Sequence, residues 1–105
     1  MYSFPLLEHE TVLKKDHASL TLDDNSFTGA LYLTNERLVF VGYILDIKKK
    51  YLEEVMHQHI YHLDKEKTFY LFPNVLIVET IHDKVLKFVV KDRDSWYEAI
   101  QEQIR

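Results

Sequence analysis

Apolar and polar residues alternate over much of this chain with a period of two, which predicts strands rather than helices. Thr11-Val12-Leu13 leads into Ser19-Leu20-Thr21-Leu22, so residues 11–22 read as extended. Asp23-Asp24-Asn25-Ser26 marks a turn, because short polar side chains bond their own backbone there. From Phe27 to Tyr43 two alternating apolar runs flank a polar tip at Asn35-Glu36, the pattern of a hairpin. That tip sets Leu33 opposite Leu38, Leu31 opposite Phe40 and Gly29 opposite Gly42, and a symmetric four-residue loop keeps the same pairing.

A second hairpin is predicted across His82-Asp83, from Val75–Ile81 to Lys84–Val90. Pairing across that turn puts Ile77 against Phe88 and Val75 against Val90. The other face then carries Leu76, Val78, Val85 and Val89. A sheet apolar on both sides is expected to be covered on both.

The chain closes with a helical period: Trp96, Ile100 and Ile104 recur every four residues, with Ala99 alongside. Asp92 or Asp94 is placed to cap it, and Ser95-Trp96-Tyr97-Glu98 fits a capping box. Trp96, the sole tryptophan, is expected to anchor the helix onto the sheet. Residues 51–63 fit two patterns. Leu52, Val55, Met56, Ile60 and Leu63 have helical spacing, while Tyr51, Val55, His57, His59 and Tyr61 alternate as a strand. The β-branched and aromatic content favours a strand around 54–62, followed by a short strand at 68–72.

Composition narrows the class. At 105 residues, 47% hydrophobic and 29% charged, the chain has the size and balance of one globular domain. The absence of cysteine excludes a disulfide framework, a thiolate nucleophile and a cysteine-ligated zinc finger. Two glycines cannot build a glycine-rich phosphate loop. A net charge of −4, with 13% aromatics but no basic stripe, argues against nucleic acid as a partner. Met1 to Glu8 lacks the basic start of a signal peptide, and no apolar run reaches the ~18 residues of a membrane span. The expectation is a cytoplasmic protein with no cofactor and no small-molecule substrate.

Strands followed by one amphipathic helix, over about this length, resemble the pleckstrin-homology-like superfold, and most closely GRAM and bacterial PH-like domains. The residues that carry the likeness are Gly29-Ala30-Leu31-Tyr32-Leu33-Thr34-Asn35-Glu36-Arg37-Leu38-Val39-Phe40, similar to the family's G-x-L-Y-x-T-x-x-R-h-x-F hairpin, where h is apolar. Val75–Thr80, Phe88-Val89-Val90 and Asp94-Ser95-Trp96 look like its final hairpin and capping helix. The resemblance implies a mainly β, PH-like domain over residues 1–105. It would have about seven antiparallel strands (residues 11–91) in two near-orthogonal sheets, capped by one C-terminal helix (94–104). It further implies a non-catalytic module that binds lipid headgroups or proteins. Phosphoinositide-binding members of the superfamily carry lysines and arginines in the first hairpin loop, where this chain has Asp23-Asp24-Asn25-Ser26. Those carboxylates would repel a phosphate.

Protein–protein interaction or self-association is therefore the expected role, and peripheral binding to anionic lipid the alternative. Lys48, Lys49 and Lys50, with Tyr43 and Tyr51 beside them, are the candidate membrane-facing residues; three such lysines are worth roughly 3 kcal/mol at an anionic bilayer. Arg37 is a candidate ligand contact, although its hairpin-tip position equally suits a structural ion pair. His57, His59 and His62 are the one metal-like cluster, but nothing in their spacing supplies converging ligands, so no metal is expected. The serines lack a nucleophile-elbow context, and adjacent Asp23-Asp24 do not make a separated acid–base pair. The aromatic run Phe69-Tyr70-Leu71-Phe72 and nearby Tyr61 read mostly as core; any exposed part would suit a partner protein.

Overall fold

A computed structural model describes residues 4–44, 49–68 and 72–105. Seven strands are followed by one helix: β1 (Val12–Leu22), β2 (Asn25–Thr34), β3 (Arg37–Ile44), β4 (Lys49–Met56), β5 (Ile60–Thr68), β6 (Phe72–Thr80), β7 (Val85–Val90) and α1 (Arg93–Ile104). Every pairing is antiparallel. The strands form one continuous curled sheet in the order β4-β3-β2-β1-β7-β6-β5, which roughly matches the expected pair of near-orthogonal sheets. β1 makes the sheet continuous: it pairs with β2 along its length and, through Ala18–Thr21, with β7.

The β2–β3 register is the one the alternation predicts, with Leu33 opposite Leu38, Leu31 opposite Phe40 and Gly29 opposite Gly42. Glu36 needs no left-handed backbone, because Thr34 organises a four-residue loop. Its hydroxyl accepts from the backbone N–H of Glu36 (3.0 Å) and of Arg37 (2.9 Å). The β6–β7 register differs from expectation by one residue: Leu76 faces Phe88, and Val75 faces Val89. Asp83 adopts a left-handed conformation (φ 62°), which gives a three-residue loop with the Thr80 N–H bonded to the Lys84 carbonyl at 2.9 Å. A one-residue slip exchanges faces. Leu76, Val78, Leu86, Phe88 and Val90 therefore point into the core, while Val85 and Val89 point out.

Residues 54–62 are not one strand. β4 ends at Met56, a single 3-10 turn spans His57–His59, and β5 starts at Ile60. Nor do residues 68–72 make a strand of their own: Thr68 closes β5 and pairs with Phe72, which opens β6. Phe69, Tyr70 and Leu71 of the aromatic run lie outside the described residues. Tyr61 is 75% exposed rather than core.

The inner face of the curled sheet supplies one core from both of its halves, and Phe40 meets Phe88 across it with ring centroids 5.9 Å apart. Helix α1 closes that core. Trp96 and Ile100 are fully buried, and the Trp96 indole N–H donates to Asp16 Oδ2 at 2.9 Å. Burial of the indole and Ile100 contributes several kcal/mol. The expected capping box does not form. Asp92 precedes the helix in a left-handed conformation and caps with its carbonyl, which accepts from the Ser95 and Trp96 N–H groups. The Asp94 carboxylate instead takes Arg93 (2.7 Å) and Lys65 (3.4 Å), and the Arg93 hydrogen bond holds it below the usual carboxylate range.

Candidate functional site

The sequence-predicted residues do not converge on one place. Lys48 lies outside the described residues, and Lys49 enters only through its backbone, as the β4 partner of Ile44. Lys50 is exposed on β4 opposite Tyr43, which is half-buried. Tyr51 belongs to the scaffold: its ring stacks on Phe27 with centroids 4.1 Å apart, and its hydroxyl donates to Glu53 at 2.6 Å. Burial, then the Glu53 carboxylate, pushes that hydroxyl well above the ordinary tyrosine range. Asp23, on the β1–β2 turn, is near enough to add to this electrostatically.

Arg37 is a structural clamp. Its Nε and Nη2 take the two oxygens of Glu10 at 2.9 and 3.0 Å, Nη1 binds Glu54, and Nη2 also reaches the Pro5 carbonyl at 2.9 Å. The Phe4 ring lies under the guanidinium at 5.2 Å. Both members of the Arg37–Glu10 pair are buried. The Arg37 hydrogen bond is the main reason the Glu10 carboxyl falls to about 2, opposed by its burial and helped by the Thr34 hydroxyl. This ion pair fastens residues 4–10 across the outside of β2 and β3. There Phe4 packs on the second apolar cluster, Ala30, Tyr32, Val39 and Val41.

The histidines separate. His57 is buried and its Nε2 donates to the Thr34 carbonyl at 2.8 Å, while its Nδ1 is buried without a hydrogen-bond partner. His62 is exposed on β5 opposite Glu79. His59 instead meets His82 of the β6–β7 turn edge to face, with centroids 5.1 Å apart. The two rings flank a recess of about 240 Å³ that Glu53 and Lys84 bridge at 3.0 Å. No group of three His, Asp or Glu side chains able to hold a metal ion occurs among the described residues.

A surface that sequence reasoning missed lies on the outside of β1, β7, β6 and β5. Cross-strand register places Ser19, Val89, Val75 and Glu66 in one row and Thr21, Lys87, Ile77 and Asp64 in the next. Val85 and Val89 are 42% and 39% exposed there. At the turn end, Thr21, Asp23, Asp83, Val85 and Lys87 line an open recess of about 280 Å³. The signal was present as the outward alternation of Val85, Lys87 and Val89. It became readable only once the left-handed Asp83 fixed the register.

Comparison with known proteins gives the class. The GRAM domain family matches residues 1–105, and the chain belongs to that family. GRAM and PH-like domains are known binding modules for membrane lipid or protein. Among solved structures, the chain is similar to the C-terminal domain of an unknown protein from Leishmania infantum. The TM-score is 0.78 at 20% identity, over 92% of this chain and 86% of that one. It is also similar to the Vps36 N-terminal PH domain, with TM-score 0.71 at 14% identity, over 95% of this chain and 83% of that one. Both likenesses concern the fold. A comparison with curated proteins finds no match. No helix among the described residues is long and apolar enough to cross a membrane.

Proposed function

We propose that this GRAM domain is a non-catalytic module whose ligand is a protein. The observation that carries the reading is the bare outer strip of β7 and β6, where Val85 and Val89 stand in solvent beside half-buried Ile77. Val85, Val89 and Ile77 lie side by side on paired strands, and a contiguous apolar strip left open is the kind of feature that partners cover. Exposed Tyr61 on β5, an edge strand, adds a second contact of the same type.

Binding of anionic lipid through Lys48–Lys50 has less support. The neighbouring β1–β2 turn presents Asp23 and Asp24, and Asp23 acts electrostatically on Tyr51, the residue that follows Lys50. A negative bilayer approaching Lys50 and Tyr51 would meet the Asp23 carboxylate as well. The test is a photo-cross-linking side chain placed at position 89 of the full chain and activated in cell extract. Discrete protein adducts are expected. Absence of adducts, together with co-sedimentation of the chain with phosphatidylserine vesicles at low salt, would replace this reading with the membrane one.

A further inference from the structure

We infer that the outer face of β1, β7, β6 and β5 receives a basic, apolar peptide segment of a partner protein, laid along Val85–Val89 with one cationic side chain between Asp23 and Asp83. The inference rests on the protein-binding reading above and names the chemistry of the partner.

Three observations select that occupant. The first is the apolar strip itself, which offers aliphatic contact at Val85 and Val89. The second is the balance of charge around it. Asp64, Glu66 and Glu79 stand on the face, and Asp23 and Asp83 stand at its turn end. Against these five carboxylates the face carries Lys87, whose ammonium reaches Glu66 at 3.8 Å, with exposed Lys91 just beyond the end of β7, so acidic groups outnumber lysines. The third is the recess at the turn end. Lys87 also lines that space of about 280 Å³, but its ammonium is turned to Glu66, and among the described residues no ion pair is made by Asp23 or Asp83. That volume accommodates the head of a lysine or arginine side chain, and paired carboxylates supply the acceptors for charge-assisted hydrogen bonds.

The same charges disfavour other occupants. Two copies set face to face would bring like charges together, and an anionic bilayer would meet a predominantly negative surface. A partner segment that alternates aliphatic and basic residues satisfies both the strip and its rim.

The experiment titrates the isotopically labelled chain with a synthetic peptide alternating lysine and leucine, followed by amide chemical shifts. A second peptide has glutamate at every lysine position. Both peptides are repeated on a D23N/D83N variant. Asp23 and Asp83 sit at φ 55° and 62°, a conformation that asparagine tolerates, so the variant keeps its turns. The lysine peptide is expected to shift Thr21, Asp23 and residues 83–89, to weaken about tenfold on D23N/D83N, and to weaken with salt. The glutamate peptide is expected not to bind. Equal binding of the two peptides, unchanged affinity on D23N/D83N, or shifts confined to another face would overturn the inference. So would a dimer in light scattering that Val89→Asp dissociates, since a second copy would then be the occupant. If position 89 still cross-links to proteins while the lysine peptide fails, only the partner chemistry is wrong; loss of the cross-links overturns the protein-binding reading itself.

Discussion

The outer face of β2–β3 and the outer face of β6–β7 both present valines, and the rest of the chain treats them differently. On the first, Val39 and Val41 are completely buried, because residues 4–10 cross them and Phe4 packs edge-on to Tyr32 with centroids 4.8 Å apart. On the second, Val85 and Val89 stay about two-fifths exposed, and no described segment crosses them. The difference is one ion pair. Glu10 and Arg37 lie 27 residues apart, and their bidentate contact, completed by Thr34, Asn35 and Glu54, fixes the crossing segment in place. No corresponding clamp exists over β6–β7 among the described residues. An apolar face that its own chain covers contributes to stability, whereas one left bare is available to a partner.

Breaking the clamp should have the largest effect. Arg37→Met leaves the Glu10 carboxylate buried without its guanidinium, and a loss of about 3 kcal/mol in unfolding free energy is expected by denaturant titration. The segment 4–10 should then show faster amide exchange than in the native chain. A hydroxyl placed under the cover comes next: Val41→Thr keeps strand propensity but buries an unpaired polar group, at a cost of about 2 kcal/mol.

Acid should loosen the same clamp by a comparable or smaller amount. The Glu10 carboxyl is depressed from 4.5 when unfolded to about 2 when folded. Its contribution is therefore complete above pH 4.5 and is lost as the pH falls toward 2. Unfolding free energy measured across that range should fall less steeply in Glu10→Gln than in the native chain. The smallest effect should be Val89→Thr, within about 0.5 kcal/mol, because that side chain already meets water. A loss as large as that of Val41→Thr would show the two faces to be equivalent and remove the basis of the comparison.

How much of this was legible varies by element. The β2–β3 hairpin could be paired residue by residue, because a symmetric loop keeps its register whatever its length. The Trp96 anchor was equally readable, since a lone indole on an apolar helical stripe has few other places to go. The β6–β7 register was not. His82-Asp83 carries no glycine or asparagine to announce a left-handed residue, yet Asp83 adopts one. The corner at 57–59 was hidden for a related reason: alternation through 51–61 looks unbroken, but the chain turns where His57 finds the Thr34 carbonyl, 23 residues away. Of the candidate site residues, Arg37 was singled out as a possible ligand contact, while its partner Glu10 has no local pattern to mark it.

Period-two alternation, the polar turns and the terminal helical stripe determined a β-rich chain closed by a helix, because those signals are local and each residue carries its own share. Which apolar face is covered and which is left open was decided by tertiary structure alone. That choice depends on the conformation of one aspartate in a turn and on a carboxylate and a guanidinium that meet only when the chain has folded.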